Sequence, residues 1–312
     1  AKINFSKRLS LNGFKRQRQT DASLIRIYFR YICVQNRSMY TEYQPSHLLV
    51  PYIDNYWEFK GNPDYGMRIH ILPDGCTDFI FTLGEVANAV EEGSLIMQPY
   101  RSYFVGPMTK YSELVTYTES IHMFGVRFLP CGLSCFTNLP LHEFVNSRVS
   151  TNEMKAVFDD TFIEKLGEQK HVTDRIRVVE EYLLAYLARH YQPADSHVAM
   201  AVNMINHSKG KRSVRSLMDD VCLCQRHFER KFKHYTGFTP KEYSRIVKFK
   251  NAVELLRTTT SANLLTTAVD AGYYDLAHFS KEIKSMSGNT PASFLSLTVP
   301  EETTLTYIEP QR

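Results

Sequence analysis

At 312 residues and 43% apolar composition, the chain is long enough for two domains, each with its own core. No apolar run approaches the ~20 residues of a membrane helix, and the first residues lack the apolar stretch of a secretion signal, so a soluble, cytoplasmic protein without a membrane partner is expected. Six cysteines (Cys33, Cys76, Cys131, Cys135, Cys222 and Cys224) are too few for a disulfide scaffold and are read as thiols. The net charge of +4 hides a partition. Residues 1–38 carry nine Lys/Arg and one acid. Residues 39–200 carry twelve against twenty-one, and residues 201–297 fifteen against eight. An acidic middle joined to a basic C-terminal part implies that one domain meets a polyanion.

Residues 1–38 read as a basic, poorly ordered extension, with a nucleic-acid-touching arm as the alternative. Residues 39–150 form a β-rich domain. The short β-prone runs Arg68–Leu72, Thr77–Leu83, Ser102–Val105, Glu113–Tyr117 and Met123–Leu129 are punctuated by Pro73-Asp74-Gly75, Gly84-Glu85, Glu92-Gly93 and Gly106-Pro107, which suggests a sandwich or barrel. Residues 151–198 read as a helical linker. Ile176, Val179, Leu183 and Leu187 form a stripe on a helix from about Thr173 to His190. That stripe suits either a partner subunit in a homodimer or packing on its own domain. Pro193-Ala194-Asp195-Ser196 looks like a hinge. Residues 199–297 are the basic C-terminal domain, and 298–312 a tail.

The C-terminal domain contains one unit twice, over Leu217–Tyr243 and Leu264–Phe294. His227-Phe228 and His278-Phe279 are 51 residues apart, as are Gly237 and Gly288, and each unit closes on Gly-x-Thr-Pro. The pattern is a helix-turn-helix, whose second helix suits a DNA major groove. In the first unit, Leu217, Val221, Leu223, Phe228 and Phe232 form the core, and Cys224 caps the next helix. Arg226, Glu229 and Arg230 share the opposite face, where Arg pairs with guanine and Glu accepts from cytosine. Lys231, Lys233 and His234 suit phosphates. In the second unit, Leu264, Ala268 and Val269 begin the unit, Gly272 makes the turn, and Asp275 caps. Ala277, His278 and Lys281 are exposed, while Phe279 and Ile283 face inward. Tyr243–Leu256 reads as one helix joining the units. A single copy of this charged face reads equally well as a solvated helix surface; the duplication argues for DNA.

These residues resemble the DNA-binding domain of the AraC/XylS transcription regulators over about Val202–Leu297. The resemblance rests on the paired units, on Phe232-Lys-His-Tyr-Thr-Gly-Phe-Thr-Pro240, and on Gly272-Tyr-Tyr-Asp-Leu-Ala-His-Phe-Ser-Lys281. It implies base contacts at Arg226, Glu229, Arg230, Ala277, His278 and Lys281. Thr267, Ile283 and Phe294-Leu295 depart from the family pattern. The N-terminal part is similar to the poorly characterised sensor domain that precedes many such domains. It does so through Tyr43-x-Pro45, Pro51–Trp57, Leu72–Phe81, Val105-Gly106 and Gly125–Pro130, which implies a cupin-like β-barrel.

The fold class expected is therefore α+β multidomain: a cupin-like barrel, a helical linker and an all-α tandem helix-turn-helix domain. Trp57, Phe79, Phe81 and Arg127 are candidates for a small-molecule effector pocket, against plain core packing. His70, Asp74, Cys76, Asp78 and His122 lack the His-x-His pair of a cupin metal site, so neither a metal nor a cofactor is expected. The function expected is sequence-specific binding of double-stranded DNA by an effector-responsive transcription regulator, an activator that engages the transcription machinery and not an enzyme. The alternatives are a cupin-type metalloenzyme tethered to DNA and a ligand-independent architectural binder.

Overall fold

The computed structural model describes residues 39–90, 93–154, 157–158, 161–221, 223–258, 263–296 and 306–308. These residues belong to one compact unit. The basic extension lies outside the described residues.

Among the described residues ten strands form two antiparallel sheets. They are β1 (Tyr40–Tyr43), β2 (Ile53–Gly61), β3 (Met67–Ile71), β4 (Thr77–Thr82), β5 (Asn88–Ala89), β6 (Ser102–Val105), β7 (Ser112–Thr116), β8 (Ile121–Phe128), β9 (Arg148–Ser150) and β10 (Thr306–Ile308). The larger sheet runs β1-β2-β8-β4-β6-β9 and the smaller β10-β3-β7-β5. Among the described residues no ladder joins the two sheets, so the expected closed barrel is replaced by a pair of open sheets. The chain after the two helix-turn-helix units returns to this domain, where β10 pairs with β3 (Tyr307 opposite His70).

The larger sheet is covered on both faces, which explains why β4 and β8 read as nearly continuous apolar runs. One alternate set, Trp57, Phe59, Ile80, Tyr103, Val105, Ile121 and Met123, packs with Met67, Ile69 and Leu114 of the smaller sheet. The other set, Tyr56, Phe79, Phe81, Phe104, Phe124, Val126 and Phe128, packs against helices α1 (Phe162–Gly167) and α2 (Val172–His190). A register shift between Ile53 and Asn55 puts Ile53 on the helix-covered face with Tyr56. Within α2, Val179 and Leu183 are fully buried against this sheet, with Ile176 and Leu187 partly buried beside them. The 151–198 segment is thus part of the N-terminal core up to His190 rather than a free linker, and its apolar stripe packs on its own domain.

Asp195 then caps α3 (Ser196–His207), its Oδ1 accepting from the amides of His197 (3.1 Å) and Val198 (3.2 Å). Helices α4 (Val214–Val221), α5 (Gln225–Thr236), α6 (Pro240–Thr258), α7 (Leu264–Asp270), α8 (Leu276–Ser287) and α9 (Pro291–Ser296) follow. Their shared core includes Leu217, Phe228, Phe232, Phe249, Ala268, Phe279, Ile283 and Phe294. Leu72 and Cys131 of the N-terminal domain are part of the same cluster. No helix of the described residues is long and apolar enough to cross a membrane.

Candidate nucleic-acid interface

The two copies fold alike where their sequences agree. In the first, α4 and α5 are joined by a turn that ends at Cys224, whose extended backbone starts α5 without a side-chain cap. In the second, Asp275 Oδ1 accepts from the amide of His278 (2.7 Å) and starts α8. Both second helices end on a left-handed glycine, Gly237 (φ 83°) and Gly288 (φ 75°), whose amides donate to Lys233 O and Lys284 O. Only a residue without Cβ adopts this conformation freely, which is why the glycines recur at the same offset.

Helix α5 buries Phe228 and Phe232 completely and turns Arg226, Arg230 and Lys233 to solvent, with Glu229 half-buried. Gln225 Nε2 donates to Glu229 Oε1 (2.8 Å), and Arg230 Nη2 donates to His227 Nδ1 (3.2 Å). Both bonds order the exposed face before any ligand arrives. Helix α8 buries Phe279 and Ile283 and exposes Ala277, His278 and Lys281. The ring of His278 meets Tyr273 edge-on at 5.4 Å. All six residues expected at base edges therefore stand on the solvent side of their helices.

The phosphate expectations divide. Lys233 is exposed, but Lys231 Nζ donates to Asp195 Oδ2 (2.6 Å) and His234 Nε2 bonds Asn138 Oδ1 (3.0 Å). Burial, with His142 next in weight, holds the His234 imidazole below its ordinary pKa. Lys231 and His234 therefore serve the fold. At the start of the second unit, Thr267 and Ala268 are buried and Val269 is 59% exposed.

The joining helix is longer than expected and is bolted to the second unit. Arg245 Nε and Nη2 bind Glu282 Oε2 and Oε1, both at 2.9 Å. Lys248 Nζ donates to Gly272 O (3.2 Å) and lies 5.5 Å from the centre of the Tyr273 ring.

In the N-terminal domain, Trp57 and Arg127 face the gap between the sheets, whereas Phe79 and Phe81 lie on the helix-covered face. The four do not line one cavity. Around Arg127 the structure gathers an ion cluster that sequence reasoning missed: Asp78 (3.2 Å), Asp74 (3.5 Å) and Glu42 (4.0 Å). Trp57 Nε1 donates to Asp78 Oδ1 (2.7 Å). Three carboxylates surround one guanidinium. Arg127 is therefore held charged despite its burial, chiefly by Asp78, while burial pushes Asp78 and Glu42 above their ordinary range. The legible signals were the alternation of β8, which aligns Arg127 with Gly125, and the Asp-x-x-x-Asp spacing across the turn. Of the residues weighed for a metal, His122 lies apart from this cluster, bonding Glu58 (2.9 Å), which also pairs with Arg175 of α2. Among the described residues no group of three His, Cys, Asp or Glu side chains is placed to hold a metal ion.

Residues 217–296 match the model of a helix-turn-helix domain family, and residues 41–150 match that of a domain of unknown function, DUF6597. No curated protein matches the chain. Among solved structures, ToxT from Vibrio cholerae is 9% identical, with 77% of this chain and 97% of that one covered at a TM-score of 0.46. The C-terminal domain of AraT, a response regulator from Geobacillus stearothermophilus, is 20% identical and covers 36% of this chain and 94% of its own at a TM-score of 0.32. A probable AraC family transcriptional regulator from Rhodopseudomonas palustris is also 20% identical, with 32% and 95% covered at a TM-score of 0.30.

Proposed function

We propose that this chain is a transcription regulator of the AraC/XylS type, and that it reads an asymmetric DNA site of two unlike halves under the control of its N-terminal domain. The observation that carries the reading is the pair of helix-turn-helix units with unequal solvent faces. Arg226, Glu229 and Arg230 supply guanine and cytosine contacts in one half-site. Ala277, His278 and Lys281 supply a weaker, partly apolar readout in the other. Lys233 meets phosphate and adds affinity without sequence preference.

The N-terminal domain is then a control module and not a catalytic one. Trp57 and Arg127, which share the face between the sheets with the ion cluster, are where an effector contact is placed. An effector acts only by binding one arrangement of the domains better than another. Activation, contact with the transcription machinery and a homodimer belong to the same proposal. Selection of bound duplexes from a random pool tests it. The expected outcome is one bipartite site whose halves differ, with the sharper base preference under α5. Enrichment of no common sequence refutes the reading.

A further inference from the structure

The helices α5 and α8 correspond residue by residue at the 51-residue offset, and the correspondence brings out a chemical difference. Gln225 and Arg226, which open α5, stand where Leu276 and Ala277 open α8. Glu229 and Arg230 correspond to Ser280 and Lys281, and Leu223 corresponds to Tyr274, one residue before the cap. In the first copy the Gln225 side chain turns toward the exposed face, where it bonds Glu229 (2.8 Å). The same position in the second copy therefore borders the face that carries Ala277 and Lys281. There Leu276 is 37% exposed and Tyr274 is 92% exposed, with Ala277 exposed beside them. Among the described residues, the large apolar side chains open to solvent include Leu265, Val269, Tyr274 and Leu276 in the second unit and none in Leu217–Tyr243.

The exchange removes hydrogen-bonding capacity from the start of α8. Gln and Arg read purine edges and Glu accepts from cytosine, whereas the side chains of Leu and Ala neither donate nor accept. The first residues of a recognition helix are the ones that meet base edges. Of the groups that a base pair shows in the major groove, only the C5 methyl of thymine is apolar. Lys281 is a donor without an acceptor and suits guanine or a phosphate one turn further along. An exposed leucine and tyrosine gain by leaving water, and the surface that would cover them is continuous with the one that meets Ala277 and Lys281. We infer that the start of α8 reads thymine by its methyl group: Leu276 and Ala277 make the apolar contact, Tyr274 shields it from water, and Leu276 and Tyr274 are specificity-determining residues of the second half-site. The two helices then differ in the kind of readout and not only in its strength. Helix α5 reads by hydrogen bonds and α8 chiefly by shape and apolar contact.

The inference deepens the DNA-binding reading and rests on it, and the experiment separates the two. The full chain is titrated with its selected duplex, in which the half-site under α8 is the one whose base preference Arg230→Ala leaves intact. Each thymine of that half is replaced in turn by deoxyuridine, which keeps every hydrogen-bonding group of the pair and removes only the methyl. At one position or more the affinity is expected to fall about 4-fold, the worth of one buried methyl-sized group. The loss should be the same at low and high salt, because no phosphate contact changes. Leu276→Gln places the first copy's residue at the corresponding position, on an exposed site where both residue types suit a helix. It is expected to abolish the difference between thymine and uracil and to move the preference there toward adenine, which Gln pairs bidentately. A half-site under α8 without thymine, or uracil duplexes bound as tightly as thymine duplexes at every position, overturns the inference. An undiminished thymine preference in Leu276→Gln overturns it equally. The uracil titration uses the natural protein, so the outcome does not depend on a variant folding. If the random pool yields no common sequence, it is the DNA-binding reading that falls.

Discussion

Gly125→Ala is a sharp probe of the N-terminal domain, because the structure leaves no room for one methyl group. A Cβ on Gly125 would overlap Cε2, Cζ2 and Nε1 of Trp57, which crosses β8 at this point. Gly125 does not use a left-handed backbone conformation, so alanine is conformationally allowed there and the cost is steric. The indole cannot retreat freely. Its Nε1 is bonded to Asp78 at 2.7 Å, and Tyr40 stacks on it at 5.8 Å and 25°. Overpacking a filled core costs about 1–3 kcal/mol. If the ring swings clear, the hydrogen bond to a carboxylate is also lost, worth about 1.5–3 kcal/mol. A destabilisation of about 4 kcal/mol follows, a large share of the ~5–15 kcal/mol of a typical domain. Trp57 is the chain's single tryptophan, so its emission reports this site alone. Urea unfolding followed by that emission should show a lower midpoint and, before unfolding, a red-shifted maximum as the 6%-exposed indole becomes wetter. A shift below about 0.5 kcal/mol with unchanged emission refutes the reasoning, since it would mean that the indole does not lie across Gly125.

Arg230→Ala should cost about 1–3 kcal/mol at the selected site and relax preference at one base position, whereas Lys233→Ala should weaken all duplexes alike and reduce the salt slope by about 1; identical effects of the two on every sequence would sink the assignment. Asp195→Ala removes the cap of α3 and the partner of Lys231, and should lower stability by about 1–2 kcal/mol in thermal melts at pH 7. Burial raises the Asp195 carboxyl, but Lys231, the Val198 amide and His197 outweigh it and hold the group below its ordinary value. A depressed folded value means that the contribution is complete above about pH 4 and is lost as pH falls through the lowered value, so the gap between natural protein and variant should close in acid. A gap unchanged from pH 7 to pH 3 contradicts this. Of Cys76, Cys131, Cys135 and Cys224, only Cys224 is exposed, and it stands at the start of α5. Mass-resolved alkylation should label it before the other three, and saturating duplex should protect it; labelling at the same rate with and without DNA argues against α5 in the groove.

Much of the C-terminal domain is legible in the chain. Phe228 and Phe232, or Phe279 and Ile283, share one face because a helix returns every 3.6 residues, so their opposites, Arg226 with Arg230 and Ala277 with Lys281, are exposed by the same arithmetic. Capping chemistry is local too, which is why Asp275, Gly237 and Gly288 stand where their residue types require. The N-terminal strands are less legible. β2 passes between a second sheet and two helices and carries a bulge, so neither a clean alternation nor a plain apolar run marks it. Lys231 and His234 look like phosphate ligands in sequence, yet Asp195 and Asn138, 36 and 96 residues away, claim them.

By itself, then, the sequence determines a duplicated helix-turn-helix with two unlike solvent faces, because periodicity, capping and left-handed glycines act within a few residues of where they are written. The tertiary structure alone decides that the N-terminal domain is two open sheets, that Arg127 is shared by Glu42, Asp74 and Asp78, and that Pro107 and Tyr111 lie against Gly237 and Gly288. Those contacts join residues far apart in the chain, and what selects them is the burial of shape and charge after the elements have formed, a condition that no local pattern encodes.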